Sequence, residues 1–262
     1  QHMLMSEGPR LRRQTASVGT TTITAVLGAA LDLVLPRDCA GCGRPGPTLC
    51  PACSDELAGS ALDETGPVAP VPVPAEWPGC SGTLRYEGVS ARVMKAFKDD
   101  GRRDLTDPLA RLLADAVGRE LMRHPAGGGP VLLVPVPSDP SAVRRRGDRP
   151  TLVLVRRVAH LLGPAVEPAP VLTMARRTAD QAGLGRQARQ DNLKGAMRVR
   201  TPESVRGRPC VLVDDVLTSG ATLGEGRRAL RAAGAGSVGM AVCMVTPRRS
   251  PPPALPFRRP AD

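Results

Sequence analysis

Asp214 and Asp215 directly follow an apolar run, Val211-Leu212-Val213, and directly precede Val216-Leu217-Thr218-Ser219-Gly220-Ala221-Thr222. This order predicts a buried strand that delivers two carboxylates to the edge of a sheet, then a short hydroxyl-rich turn, then a helix start. Each part suits one piece of a phosphorylated sugar. Carboxylates accept hydrogen bonds from sugar hydroxyls. Main-chain N–H groups at a helix N-terminus are unpaired and lie at the positive end of its dipole, so they suit a phosphate. Thr218, Ser219 and Thr222 add hydroxyl donors, and Gly220 lets the backbone approach closely. The plainer alternative is an ordinary strand–turn–helix with an acidic turn. Two adjacent acids beside such a turn in a basic chain weigh against it.

A second element on the same expected edge carries positive charge. Val134-Pro135-Val136-Pro137 ends another apolar run, and Arg144-Arg145-Arg146-Gly147 follow in what reads as a loop. These arginines are candidates for a pyrophosphate or other polyanion, with a solvated charge run as the alternative. The stretch 176–192 is polar and Arg-rich, and Arg186 and Arg189 within it join these candidates through the family resemblance given below. Other phosphate motifs fail. No G-x-x-x-x-G-K-[ST] is present. Gly183-x-Gly185-x-x-Ala188 loosely resembles a dinucleotide fingerprint, but no apolar strand precedes it.

The other chemistry-bearing group is Cys39-x2-Cys42-x7-Cys50-x2-Cys53. Two C-x-x-C turns can each present two thiolates to one ion, and Gly41 and Gly43 supply the tight turns. Four thiolates suit tetrahedral zinc, and a closed four-cysteine site is structural. A redox pair or an iron site is the alternative. Such pairing in a chain of 262 residues points to metal in a reducing compartment rather than a disulfide framework. Cys80, Cys210 and Cys243 read as small core or linker residues. Trp77 and Tyr86 could stack on bases but read first as packing.

The elements that must hold these groups follow from periodicity. Gly82–Tyr86 predicts a short strand. Val89, Val93, Met94 and Phe97 predict a helix face, and Leu109, Leu112, Leu113, Ala116, Val117 and Leu121 another. Val131–Val136 is a continuous apolar run, as buried parallel strands are. Pro150 opens a helix that Gly163-Pro164 stops. Val171–Thr173 and Ala196–Val199 read as short strands, Leu223–Ala233 as a helix and Val238–Val245 as a strand. Strand and helix thus alternate, which predicts an α/β fold with a parallel sheet flanked by helices. With aromatics at 2% of the chain, the core must be built from Val, Leu and Ala.

The net charge of +11 favours anionic partners. Only Lys95, Lys98 and Lys194 are lysines, so arginine supplies almost all of the positive charge. Gln1-His2-Met3 reads as a cloning remnant, and residues 1–22 as a disordered tail. Ile23, Val26, Leu27, Ala30, Leu31, Val34 and Leu35 recur at helical spacing, which predicts a docked amphipathic helix too short to span a bilayer, with an interfacial or export segment as the alternative. Helix and cysteine module together span 23–58, a Pro-rich linker 59–80, the α/β domain 81–247, and a Pro- and Arg-rich disordered tail 248–262.

The loop 214–222 resembles the 5-phosphoribosyl-1-pyrophosphate (PRPP) signature of type I phosphoribosyltransferases. Joined to a four-cysteine knuckle, it resembles the ComF family, phosphoribosyltransferase-like proteins linked to natural competence. Further matching pieces are Asp32-Leu33-Val34-Leu35-Pro36, Leu84-Arg85-Tyr86-Glu87-Gly88, Gly101-Arg102-Arg103-Asp104-Leu105 and Gln181–Leu193, the last similar to the family's mobile loop. The resemblance implies PRPP bound with Mg²⁺ at residues 214–222, with Asp214 and Asp215 catalytic if transfer occurs. It implies a structural zinc, and a cytoplasmic protein that handles incoming single-stranded DNA beside a membrane-associated helicase at the inner face. Two stretches depart from the family. Asp148-Arg149-Pro150 follows Gly147 in place of an aromatic, Asn and Gln. Ser138-Asp139 replaces a basic residue and His after the Pro-x-Pro. A Mg²⁺-dependent transferase acting on an acceptor, or a PRPP-sensing module, are the alternatives.

Overall fold

The computed structural model describes residues 38–62, 66–74, 77–124, 128–176 and 193–247. The predicted helix at 23–35, both tails, and Arg186 and Arg189 lie outside them.

The main sheet has the order β1 (Leu84–Arg85), β7 (Val238–Val245), β6 (Cys210–Leu217), β2 (Val131–Pro135), β3 (Val166–Pro168). All four pairings are parallel. The apolar runs explain themselves here, because strands covered on both faces need apolar side chains at every position. On one face Val131 and Leu133, Val211 and Val213, Ala241 and Cys243 pack with three helices: α2 (Gly88–Lys98), α3 (Thr106–Arg123) and α5 (Pro150–Leu162). On the other, Leu132, Val134, Cys210, Leu212, Met240 and Val242 pack under α6 (Ala221–Ala232). That face also carries an antiparallel pair, β4 (Leu172–Met174) with β5 (Met197–Val199).

The chain leaves β2 through α5 toward β3 and leaves β6 through α6 toward β7, in opposite directions across the sheet. β2 and β6 are neighbours, so the sheet's switch point lies between their carboxyl ends. Ligand clefts of open α/β sheets form at such points.

Two expectations change. Arg144–Arg146, read as a loop, form the last turn of α4 (Pro140–Arg146), a helix that Asp139 caps and Pro140 opens. The stretch 59–80, read as a linker, is docked in its described parts. Helix α1 (Pro51–Gly59) leads into it. Val68 and Cys80 bridge, Ser81 bridges Ala241, and Cys80 is fully buried. β3 was not foreseen, because Val166-Glu167-Pro168 is an edge strand with only Val166 buried.

Candidate functional site

The two acids lie in the second half of β6, with Val216 and Leu217 after them. Asp215 is 4% exposed and Asp214 half-buried. Each carboxylate accepts the next main-chain N–H: Asp215 N donates to Asp214 Oδ1 at 2.9 Å, and Val216 N to Asp215 Oδ1 at 2.8 Å. From the end of α2, Lys98 Nζ reaches Asp215 Oδ2 at 2.6 Å. Burial, then the Asp215 charge, push the Asp214 carboxyl well above the usual carboxylate range. Burial alone would lower the Lys98 ammonium, but Asp215 and Asp214 outweigh it and hold its pKa above the ordinary 10.5.

Gly220 caps the start of α6 at φ 76° and brings no side chain to its first amides. A Cβ there would meet Pro70 Cγ at 2.8 Å and Trp77 Cζ3 at 2.9 Å, so the docked stretch packs directly on the loop. Trp77 is itself tied by Nε1 donating to the Val68 carbonyl at 3.0 Å.

These groups surround a cleft of about 330 Å³ at the switch point. Asp214, Asp215, Val216, Thr218 and Thr222 line it, whereas Leu217 and Ser219 are buried beneath the loop. Ser138 and Asp139 line it from the β2 side, and Tyr86, Met174, Leu193 and Met197 form apolar wall. Glu225, buried on α6, holds the β4–β5 pair by accepting from Met197 N at 2.9 Å.

The arginines divide. Arg146 lines the cleft and donates to Asp99 Oδ1 at 3.0 Å, and its buried Nε has no hydrogen-bond partner. Arg145 lines an adjoining polar cleft that shares Lys98 and Arg146. Arg144 is exposed and lines neither. Lys98 had no motif to announce it as a cleft residue, whereas Tyr86 stood in the Leu84–Gly88 piece of the family resemblance. A signal for Lys98 in the chain was its place just after the apolar face that ends at Phe97 and just before Asp99-Asp100-Gly101.

The four module cysteines converge, with all Sγ atoms within 4.8 Å of one another. Cys42 and Cys50 Sγ are 3.8 Å apart. That matches the edge of a tetrahedron, about 3.8 Å, built on bonds of about 2.3 Å to a central ion. Gly41 is required, since a Cβ there would lie 2.6 Å from Cys53 Sγ. Burial works against the Cys39 thiolate, but N–H groups of Cys50, Cys42 and Gly41 bring its pKa down to about 6. Cys53, buried and facing the other thiols, is pushed up to about 12. The donor set can hold a metal ion. Cys39, Cys53 and Leu57 belong to the same apolar cluster as α2 and α3, so the knuckle shares the domain's core.

Comparison with known proteins agrees with this architecture. Residues 148–257 match the family model for the phosphoribosyl transferase domain. A protein of Salmonella typhi named DNA utilization protein YhgH is 33% identical over 202 residues, covering 76% of this chain and 85% of that one. Its namesake in Escherichia coli (strain K12) is 30% identical over 200 residues, with the same coverage. A solved hypoxanthine phosphoribosyltransferase of Staphylococcus aureus is far more distant. It is 12% identical, with a TM-score of 0.33 over 55% of this chain and 66% of that one.

Proposed function

The chain belongs to the ComF family, and from that premise we propose that it binds PRPP or a related sugar phosphate in the switch-point cleft and takes part in handling single-stranded DNA during uptake. One observation carries the ligand reading. Two carboxylates, Asp214 and Asp215, and two hydroxyl residues beside the start of α6, Thr218 and Thr222, line the same cleft. In this reading Asp214 and Asp215 accept the ribose hydroxyls. The amides and hydroxyls of Thr218–Thr222 hold the 5-phosphate. A Mg²⁺ ion accompanies a pyrophosphate when one is present. Zinc occupies the four-cysteine site, because four thiolates at tetrahedral spacing favour it.

The DNA part of the reading is supported by the net charge of +11 and by relatives named for DNA utilization. It includes work beside a membrane-associated helicase on the cytoplasmic side. Among the described residues no helix is long and apolar enough to cross a membrane. If transfer to an acceptor occurs, the cleft's contribution is positioning and charge neutralisation at the leaving pyrophosphate.

Calorimetric titration with PRPP and with ribose 5-phosphate tests the ligand reading. The wild type binds at least one of them. Thr222→Val and Asp214→Asn each weaken it by about tenfold or more, as loss of a charge-assisted hydrogen bond does. Heat-silent titrations with both ligands contradict the reading. In the same preparation, affinity for a fluorescent single-stranded oligonucleotide should fall steeply between low and high salt. A flat salt dependence contradicts the DNA part.

A further inference from the structure

A second cavity, of about 260 Å³, opens at the other edge of the sheet, lined by Val238 and Gly239 at the start of β7. Val238 pairs with Cys210, the first residue of β6, and Asp215 lies five residues further along that strand. At about 3.3 Å per residue, about 17 Å separate the two levels. Arginines converge on this cavity from two helices. α3 brings Arg123, with His124 just past its end, and α6 brings Arg227 and Arg231. Ser237 adds an exposed hydroxyl. The carboxylate among them, Glu120, is 3% exposed and already engaged. It accepts from Ser81 Oγ at 2.6 Å and from Arg123 Nη1 at 2.7 Å. Among the described lining residues, three arginines thus stand against one carboxylate. The switch-point cleft sets three carboxylates (Asp139, Asp214, Asp215) against Lys98 and Arg146.

A last-turn arginine answers the helix dipole, and that would account for Arg123 and Arg231. It does not account for Arg227. Arg227 and Arg231 lie one turn apart on the same side of α6, and like charges so placed disfavour a helix. Arg228, the next residue, points elsewhere, held by Glu225 and the Met197 carbonyl. An anion in the cavity turns the repulsion between Arg227 and Arg231 into a shared attraction. The guanidinium fork matches phosphate oxygens two at a time. The carbonyl ends of α3 and α6 lie at this edge, so arginine charge must supply the attraction. That charge continues past the cavity. Exposed Arg206 bridges through its main chain to Ala235, next to Gly236 of the cavity lining. Arg123 and Arg231 are exposed as well. Positive charge spaced along an open mouth suits successive phosphates of a flexible strand better than one enclosed ion.

We propose that this amino-edge cavity is a second phosphate site, and that a backbone phosphate of single-stranded DNA fills it between Arg227 and Arg231. The proposal rests on the reading of DNA handling given above and adds where the strand is held, on the edge away from the switch-point cleft.

The test uses the full chain, a fluorescent single-stranded oligonucleotide and inorganic phosphate. Arg231 is exposed, so its variants should fold, and their melting temperatures check this. Arg231→Gln should weaken oligonucleotide binding by about fivefold at low salt. It should also flatten the slope of log affinity against log salt by about 0.7, the change for one lost phosphate contact on a single strand. Arg231→Glu should weaken binding by about tenfold or more. Arg156, exposed on α5 and lining neither site, is the control. Arg156→Gln should stay within about twofold of the wild type. If the Arg231 variants bind no more weakly than Arg156→Gln, the proposal is overturned and the DNA reading stands. If Arg231→Glu loses inorganic phosphate but keeps the oligonucleotide, the cavity takes free phosphate and the proposal is again overturned. If the wild type binds no oligonucleotide, both are overturned.

Discussion

Lys98 lies far from Asp215 in sequence and 2.6 Å from it in space. Its ammonium offsets one of two adjacent carboxylates, one buried and one half-buried, and Asp214 retains a raised pKa even so. Removing one partner of a fully buried pair costs about 3–5 kcal/mol. Lys98 keeps 35% of its side chain exposed, so solvent screening reduces the figure. Lys98→Met should therefore lower unfolding free energy by about 2 kcal/mol in urea melts at pH 7. The sign with pH follows from the folded-state pKa, raised above the ordinary 10.5. The pair's contribution is fully present below that ordinary value and is lost as pH rises through the higher folded one. Wild type and variant should differ by the same amount at pH 7 and pH 9. A gap that is absent at pH 7 contradicts the account. Ordering at this scale was partly legible: the acids and hydroxyls of 214–222 announced themselves by type and spacing, whereas Lys98 came to the cleft only through tertiary packing.

At the scale of elements, legibility followed burial. β2, β7 and the Val211–Val213 stretch of β6 are covered on both faces and read as unbroken apolar runs. The helices from Gly88 to Lys98 and Thr106 to Arg123 read from one apolar face each. β3 did not, because an edge strand of three residues with Glu167 and Pro168 leaves no pattern. α4 hid behind its arginines. Its start signal, Asp139-Pro140, was in the chain, but a short helix with one buried residue, Ala142, has no apolar stripe to confirm it. The docking of Pro70 and Trp77 on Gly220 was equally hidden. A Pro-rich segment carries no period, and its order comes from the loop it covers.

Over the whole molecule, the knuckle and the α/β domain share one core through Cys39, Cys53 and Leu57. The sequence suggested an appended module, since the cysteine spacing says nothing about what the turns pack against. With zinc bound, its affinity is folding free energy. Chelation should cost about 3 kcal/mol or more and lower the melting temperature by about 10 °C, given a shift of about 2–4 °C per kcal/mol in a chain of this size. Calorimetry with and without chelator, alongside one zinc per chain by elemental analysis, checks this. A metal-free protein that melts at the same temperature contradicts it. The shared core also links knuckle and cleft, because α2 packs beside Cys53 and ends in Lys98.

In the proposed function residues 214–222 hold the phosphate of a sugar ligand. A crystal structure of the protein soaked with the ligand that binds it in solution tests this most directly. Phosphate oxygens should lie about 3 Å from main-chain N–H groups at the start of α6, with the ribose hydroxyls on Asp214 and Asp215. A phosphate seated instead on Arg144–Arg146, with Asp214 and Asp215 untouched, would contradict it.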